Sequence, residues 1–107
     1  MAEPFPFQAQ VVGRGLVVVT GAVDLDTSPQ LRLALQQALD NVDGPTGLVV
    51  DLSAVDFMDA TGLGVLVGAA NRAKRAGGDV RLRAPSPAVL RVLDVGGLKD
   101  AFPLVQR

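Results

Sequence analysis

A threonine at the start of a predicted helix is the side chain whose position in this sequence points most directly to chemistry. Thr61 lies in the segment DATGLG, with Asp59 before it and two glycines after it, and an apolar segment with helical spacing follows. A hydroxyl in the first turn of a helix can cap the free N–H groups there, although Asp59 is a competing cap. Alternatively, the hydroxyl can carry a phosphate, which the helix dipole and the same N–H groups would stabilise. The segment leaves both roles open for Thr61.

Acidic side chains offer a second kind of chemistry. Asp24 ends a predicted strand, where it either closes a turn or lies beside Asp59 and Thr61 at the edge where open α/β sheets bind ligands. Together with Asp51 and Asp56, these carboxylates could hold Mg²⁺ in a small nucleotide-binding or phosphoryl-transfer domain. No lysine or serine with phosphate-reading spacing accompanies them, and the sequence has no G-x-x-x-x-G-K-[ST] loop. The sequence therefore gives the acidic site less support than the threonine.

The composition excludes several other functions. The 107 residues include no cysteine and no histidine, which rules out disulfides, thiolate nucleophiles, Cys/His zinc sites and Ser-His-Asp relays. A formal net charge of −1, with no Trp or Tyr, does not match the basic and stacking surfaces that bind nucleic acids. The apolar runs are far shorter than the ~20 residues of a membrane-spanning helix. We therefore expect a cytoplasmic protein with no cofactor, no metal ion, no nucleic-acid partner and no membrane insertion.

The hydrophobic pattern predicts the elements that position these side chains. Strand-like and helix-like segments follow one another in the order β-β-α-β-α-β-α-β, separated by glycine- and proline-containing turns. This alternation predicts one α/β domain over residues 1–107 with a mixed, mostly parallel sheet of four to five strands, in which only residues 1–6 are flexible. The predicted elements cover residues 7–12, 16–21, 28–43, 48–52, 60–76, 79–83, 87–95 and 102–105.

The helix that follows Thr61 carries glycines on one side. On a helical wheel, Gly64 and Gly68 fall together with Val65, opposite the apolar residues that are expected to pack on the sheet. They either pack against a neighbouring loop of the same domain or form a docking face, because the absence of side chains lets another backbone approach closely. On the second interpretation Val65 is an exposed apolar residue. The sheet-facing residues are Leu63, Leu66, Val67, Ala70 and Ala73, and the basic residues on the glycine side are Arg72 and Arg75.

Three segments resemble the STAS domain family, in particular the bacterial anti-sigma factor antagonists. The match covers nearly the whole chain, and the segments that carry it are Gly21–Leu31, Leu48–Ala69 and Gly77–Leu98. The middle segment is the specific one, since DATGLG (residues 59–64) stands where the family has Asp-Ser-[Ser/Thr]-Gly-Leu-Gly. Ala60 occupies the position of a common serine, which leaves Thr61 as the only hydroxyl of the motif. The resemblance implies a first strand antiparallel to the others and helices packed mainly on one face of the sheet.

The resemblance also implies partner switching. In this family the unmodified antagonist binds an anti-sigma factor that is also a serine/threonine kinase, and this binding frees a sigma factor. Phosphorylation of the motif hydroxyl, here Thr61, breaks the complex, and a separate phosphatase restores it. The hypothesis is a regulatory binding module and not an enzyme; the alternative within the family is a subunit of a lipid-transport or signalling complex in which Thr61 is not phosphorylated. The expected docking surface comprises Asp24, Asp59, Gly62, Gly64, Val65, Gly68 and Arg72.

Overall fold

The part of the chain that the structure describes contains five strands and three helices. The computed structural model describes residues 6–42 and 47–105, so the expected flexibility of residues 1–6 concerns, apart from Pro6, residues outside those described. The predicted order of the elements is confirmed. The strands are β1 (Gln8–Val11), β2 (Leu16–Val23), β3 (Leu48–Met58), β4 (Val80–Arg83) and β5 (Leu104–Val105), and the helices are α1 (Ser28–Asp40), α2 (Ala60–Arg75) and α3 (Pro87–Val95).

The strands form one mixed sheet in the order β1-β2-β3-β4-β5. β1 pairs with β2 in antiparallel orientation, and β2 to β5 run parallel to one another. In β2 every second residue, including Val17, Val19 and Val23, is buried, and the residues between them are only partly buried. This alternation is typical of a sheet with one well-covered face. The expected α/β fold, with an antiparallel first strand and helices on one face, is confirmed.

The helices complete a single hydrophobic core against the covered face. Residues of all three helices and of β2, β3 and β4 belong to one cluster of buried side chains. α1 packs beside α2 as well as against β1 and β2, so α2 has a helical neighbour in addition to the sheet. In the ranges that the structure describes, no helix is long and apolar enough to cross a bilayer.

Strand β3 is longer than the sequence pattern predicts, and the loop expected over residues 53–59 is wrong. Its buried residues are two apart up to Leu52 and then three apart, at Val55 and Met58. The change in spacing coincides with two register shifts against β2, each of which adds one residue to β3. Such bulges leave the extra residue unpaired and bend the strand. A prediction from a strict two-residue period therefore ends the strand at Leu52. In the structure the two bulges allow β3 to continue to Met58, just before α2.

Candidate functional site

The first turn of α2 is fixed to the end of the sheet by Asp59. The Asp59 N–H donates to the carbonyl of Val23, the last residue of β2, at 3.2 Å. The Asp59 carboxylate accepts from the N–H groups of Thr61 (2.9 Å) and Gly62 (3.3 Å), which makes Asp59 the N-cap of the helix. The alternative in which Thr61 caps α2 is wrong. The threonine hydroxyl is therefore not needed to satisfy the backbone of the helix.

The Thr61 side chain is exposed, and its hydroxyl donates to the same Asp59 carboxylate at 2.5 Å. This hydrogen bond is the largest cause of a lowered pKa for Asp59; partial desolvation opposes it, and the N–H groups of Gly62 and Thr61 act in the same direction as the hydroxyl. Asp59 is therefore a carboxylate at neutral pH. The site presents a solvent-accessible hydroxyl that is held by an anion, next to the start of a helix.

Removing the hydroxyl should raise the pKa of Asp59. In Thr61→Val the backbone donors remain but the O–H donor is lost, so an acid titration followed by NMR at the Asp59 carboxyl should give a higher midpoint than in the wild type. The folded-state pKa is lowered, so the carboxylate stabilises the fold above its unfolded pKa of about 3.9. That contribution is lost as the pH falls through the folded pKa, and a smaller part of it should remain in Thr61→Val.

Thr61→Ser is the matched control, because it keeps a hydroxyl at the same position. Its Asp59 midpoint should stay close to that of the wild type. An unchanged midpoint in Thr61→Val would mean that the threonine hydroxyl does not bind Asp59 in solution.

Asp24 closes the turn between β2 and α1. Its carboxylate accepts from the N–H groups of Asp26 (3.0 Å) and Thr27 (3.1 Å), and its own N–H donates to the Thr27 hydroxyl at 3.0 Å. This is an Asx turn, so the turn interpretation of Asp24 is confirmed, and Thr27, without a side-chain cap hydrogen bond, is the N-cap of α1. Because Val23 pairs with Met58, Asp24 and Asp59 follow neighbouring strand ends at the same edge of the sheet. The structure therefore places Asp24 on the same edge as Thr61.

The three glycines of α2 have different environments. A Cβ on Gly62 would lie 2.6 Å from Cγ1 of Val23 and 3.0 Å from Cγ of Met58, so this glycine lets the helix approach the sheet. Gly62 is buried and belongs to the core, not to the exposed surface expected from the sequence. A Cβ on Gly64 or Gly68 would meet no described atom within 4 Å. The alternative in which these two glycines pack against a loop of the same domain is wrong for residues 6–42 and 47–105.

Val65 is buried, with only 6% of its surface exposed, so its expected exposure is wrong. The helical wheel gave Val65 an exposed position because the sheet was taken as the neighbour of α2. In the structure α1 also packs against α2, on the side where Val65 lies. Val65 forms part of a groove of about 390 Å³ between the two helices. Its lining is apolar at the base, with Leu35 and Ala69, and carries arginines at its sides. The groove-lining residues are Arg32, Leu35, Gln36, Leu39, Gly64, Val65, Gly68, Ala69, Arg72 and Arg75.

Arg72 forms an ion pair with Asp40 of α1, which joins the two helices beside the groove. Both side chains are largely exposed, so the pair contributes little to stability. The sequence pattern assigned Arg72 to the docking surface but contained no sign of its partner, because the two residues are brought together only by helix packing. Arg72 retains a partly exposed guanidinium on the groove.

Two exposed apolar side chains near Thr61 were not expected from the sequence. Leu25, next to Asp24, has 71% of its surface exposed, and Phe57, near the end of β3, has 49% exposed. Phe57 pairs with Ala22 of β2, so it belongs to the same end of the sheet as Asp24 and Asp59. In the sequence, Leu25 lies between two aspartates in VDLDT, and Phe57 follows an aspartate in VDFMD. The sequence pattern assigns the first segment to the end of a strand and the second to a loop.

Three of the four carboxylates considered for Mg²⁺, those of Asp24, Asp51 and Asp59, have other partners. Burial raises the pKa of Asp51, but hydrogen bonds from Ser53 and the Arg83 guanidinium outweigh it and keep the pKa below its usual value. The Asp51 and Arg83 side chains are 2.8 Å apart on adjacent strands. Asp24 and Asp59 are held in their own turn and cap. Within the described ranges, no group of three or more acidic side chains is arranged to hold a metal ion.

Comparisons with known proteins agree with the fold. The family model described as Mlab, STAS domain, matches residues 8–106. The anti-sigma-B factor antagonist of Bacillus subtilis (strain 168) is 34% identical over 88 residues, which are 82% of this chain and 78% of that protein. The anti-sigma factor antagonist SpoIIAA in its unphosphorylated form is 26% identical with a TM-score of 0.72, covering 95% of this chain and 90% of that chain. The phosphorylated form of this Bacillus cell fate determinant is 25% identical with a TM-score of 0.66, covering 95% and 93%.

Proposed function

Because the chain belongs to the STAS domain family, we propose that it is an anti-sigma factor antagonist controlled by phosphorylation. In its unphosphorylated form it binds an anti-sigma factor that is also a serine/threonine kinase, and a sigma factor is released. That kinase phosphorylates Thr61 and the complex dissociates. A phosphatase that acts on phospho-Thr61 restores binding. The protein itself is a cytoplasmic binding module and supplies no catalytic group.

The observation that carries this proposal is the exposed Thr61 hydroxyl at the N-terminus of α2. It is not used as a helix cap, it is accessible to a kinase, and it donates to a carboxylate whose pKa is lowered. A similar protein, SpoIIAA, has a structure in a phosphorylated and in an unphosphorylated form. These features support Thr61 as the phosphoacceptor.

Phosphorylation changes the contacts of Thr61 directly. Thr61 Oγ1 bonds to the γ-phosphorus of ATP as the bond from that phosphorus to ADP breaks, and the hydroxyl proton is released. The oxygen can then no longer donate to Asp59, and about −1.5 to −2 charges appear beside the Asp59 carboxylate. Asp59 already accepts from the N–H groups of Thr61 and Gly62, so these are not free for the phosphate. The phosphate therefore extends into the space that the partner occupies.

The docking surface consists of the exposed groups around Thr61. Asp24 and Asp59 lie at the sheet edge, and Gly64, Gly68 and Arg72 follow along α2. Gly62 acts from within the core, and Val65 lines the groove. Phe57 adds an exposed aromatic side chain of the kind that is enriched at protein interfaces, and Leu25 adds exposed apolar area. The surface therefore joins exposed apolar side chains, two carboxylates and a smooth helix face.

Incubation with a kinase tests the proposal. Each anti-sigma factor kinase encoded in the same genome is mixed with the protein and ATP, and phosphate is mapped by mass spectrometry. We expect one phosphate, on Thr61, and none on Thr61→Val incubated in the same way. Phosphate on another hydroxyl, or on none with every kinase tried, contradicts the assignment of Thr61.

A second candidate is docking without phosphorylation, as an interaction subunit of a lipid-transport or signalling complex. The match of residues 8–106 to a STAS domain model shows the family and not phosphorylation, so this candidate fits that match equally. In that case the same surface binds a partner, and Thr61 stays unmodified in the cell. Mass spectrometry of the protein isolated from growing and stressed cells separates the two candidates, since only the first requires phospho-Thr61.

A further inference from the structure

We propose that the groove between α1 and α2 binds an acidic amphipathic helix of the partner protein. The inference rests on the proposed function, and it extends the docking surface from Thr61 along the full length of α2. The occupant has a strip of apolar side chains that contacts the groove base and Asp or Glu residues that contact the arginines.

The shape of the groove follows from the two glycines. Gly64 and Gly68 are one turn apart on the exposed side of α2, and no described atom lies within 4 Å of where their Cβ atoms would be. The backbone of α2 is therefore the groove wall at these positions, and a second helix can approach it closely. From Gly64 to Arg75 the wall extends about 17 Å at 1.5 Å per residue, the length of a helix of about three turns.

The base of the groove is apolar. Leu35 and Leu39 of α1 and Val65 and Ala69 of α2 line it, and all four belong to the core or pack against it. An amphipathic helix that binds in such a groove contacts the apolar base with apolar side chains spaced three and four residues apart. The base therefore selects an apolar strip of a helix.

The charge of the groove selects acidic flanks. Arg32 stands on the α1 side, and Arg72 and Arg75 stand on the α2 side. Of these three arginines, Arg72 forms an ion pair with Asp40. Arg32 and Arg75 form none with any residue in the ranges 6–42 and 47–105. Two guanidinium groups on opposite sides are thus available to carboxylates of an occupant, and a basic helix would be repelled.

Variants on the groove test the proposal in the full chain. The chosen changes are Gly68→Leu, which places a side chain in open space in the groove, and Arg75→Glu, which reverses one charge. Lys74→Glu is the matched control, because Lys74 is exposed and does not line the groove. This substitution makes the same charge change as Arg75→Glu, at a position about 100° away around the helix. Thermal melting of each variant verifies folding. Dissociation constants are then measured by calorimetry with each anti-sigma factor kinase of the same genome, in the absence of ATP.

We expect Gly68→Leu and Arg75→Glu to weaken binding about tenfold or more, and Lys74→Glu to bind like the wild type. An Asp or Glu to Arg change in the partner helix should restore the affinity of Arg75→Glu. If both groove variants bind like the wild type, or if Lys74→Glu is weakened equally, the groove is not the docking site, although the phosphorylation of Thr61 still stands.

If no anti-sigma factor kinase binds the wild type, the proposed function fails and the groove is tested by itself. The probe is then a stapled 15-residue helix with leucines on one face and glutamates beside them, and its control has lysines in place of the glutamates. Shifts of the Gly64 and Gly68 amide signals with the acidic peptide alone support the groove. No shift, equal shifts with both peptides, or shifts with anionic phosphatidylglycerol vesicles but not the peptide, overturn it.

Discussion

Replacement of Gly62 by alanine should destabilise the protein, whereas the same replacement at Gly64, two residues later in α2, should stabilise it. At Gly62 the new methyl group would lie 2.6 Å from Val23 Cγ1, inside the van der Waals contact distance, and both Val23 and Met58 are buried. Overpacking of this kind costs about 1–3 kcal/mol. At Gly64 the methyl group enters open space, and alanine is favoured over glycine in a helix by up to about 1 kcal/mol.

Thermal or urea denaturation measures both effects. A change of 1 kcal/mol shifts the melting temperature of a domain of this size by about 4–8 °C, so the two variants should differ by about 10 °C or more. Gly68→Ala is the control for Gly64→Ala, because its Cβ also meets no described atom within 4 Å, and it should stabilise the protein similarly. A stabilised Gly62→Ala would show that α2 lies farther from the sheet than in the structure, and a destabilised Gly64→Ala would show that the outer face of α2 is packed.

The opposite expected effects on stability at Gly62 and Gly64 depend on contacts that the sequence pattern does not predict. Gly62, Gly64 and Gly68 are identical in type, and a helical wheel correctly separates the latter two from the sheet-facing residues. A wheel cannot say what covers the remaining sides of a helix. α1 covers one of them, which buries Val65 and makes the groove, and neither residue spacing nor composition contains that contact.

The order of the elements was predictable because each is signalled locally. Alternation identifies β2 and β4, apolar residues at helical spacing identify α1 and α2, and Ser86-Pro87 marks the start of α3, whose N-cap is Ser86. The end of β3 was not predictable by the same rule. Its two bulges are a property of its pairing with β2, and they turn a two-residue period into a three-residue one after Leu52.

At the candidate site, the sequence pattern located Asp59 and Thr61 at the start of α2 but did not predict all of their contacts. Thr61 was correctly placed in the first turn of α2, with Asp59 before it as a candidate cap, and the resemblance to the STAS family gave Thr61 its expected role. Asp59 caps α2, and the Thr61 hydroxyl donates to Asp59. These separate roles depend on the orientation of the Asp59 carboxylate. The ion pair between Arg72 and Asp40 depends on packing between two helices, which brings together residues 32 positions apart in sequence.

Replacement of Thr61 by glutamate should abolish most of the affinity for the kinase partner, while Thr61→Ala should retain it. A glutamate places one negative charge beside the Asp59 carboxylate, on a surface that must lose its water when the partner docks. Uncompensated like charges in an interface cost several kcal/mol. Since each 1.4 kcal/mol is tenfold, we expect a loss of about 100-fold or more for Thr61→Glu and less than about tenfold for Thr61→Ala.

Calorimetry or surface plasmon resonance with the anti-sigma factor kinase, in the absence of ATP, measures these affinities. Gln37→Glu is the matched control, because Gln37 is exposed on α1 outside the groove and its replacement adds the same charge elsewhere. The loss in Thr61→Glu should diminish as salt is raised toward 1 M, where the Debye length falls to about 3 Å, since charge and not shape causes it. Equal affinities of Thr61→Glu and Thr61→Ala would remove phosphorylation as the control of docking, because the added charge would then lie outside the contact. A loss in Thr61→Glu that salt leaves unchanged would instead assign the switch to the bulk of the phosphate, which fits only if the partner packs directly on the first turn of α2.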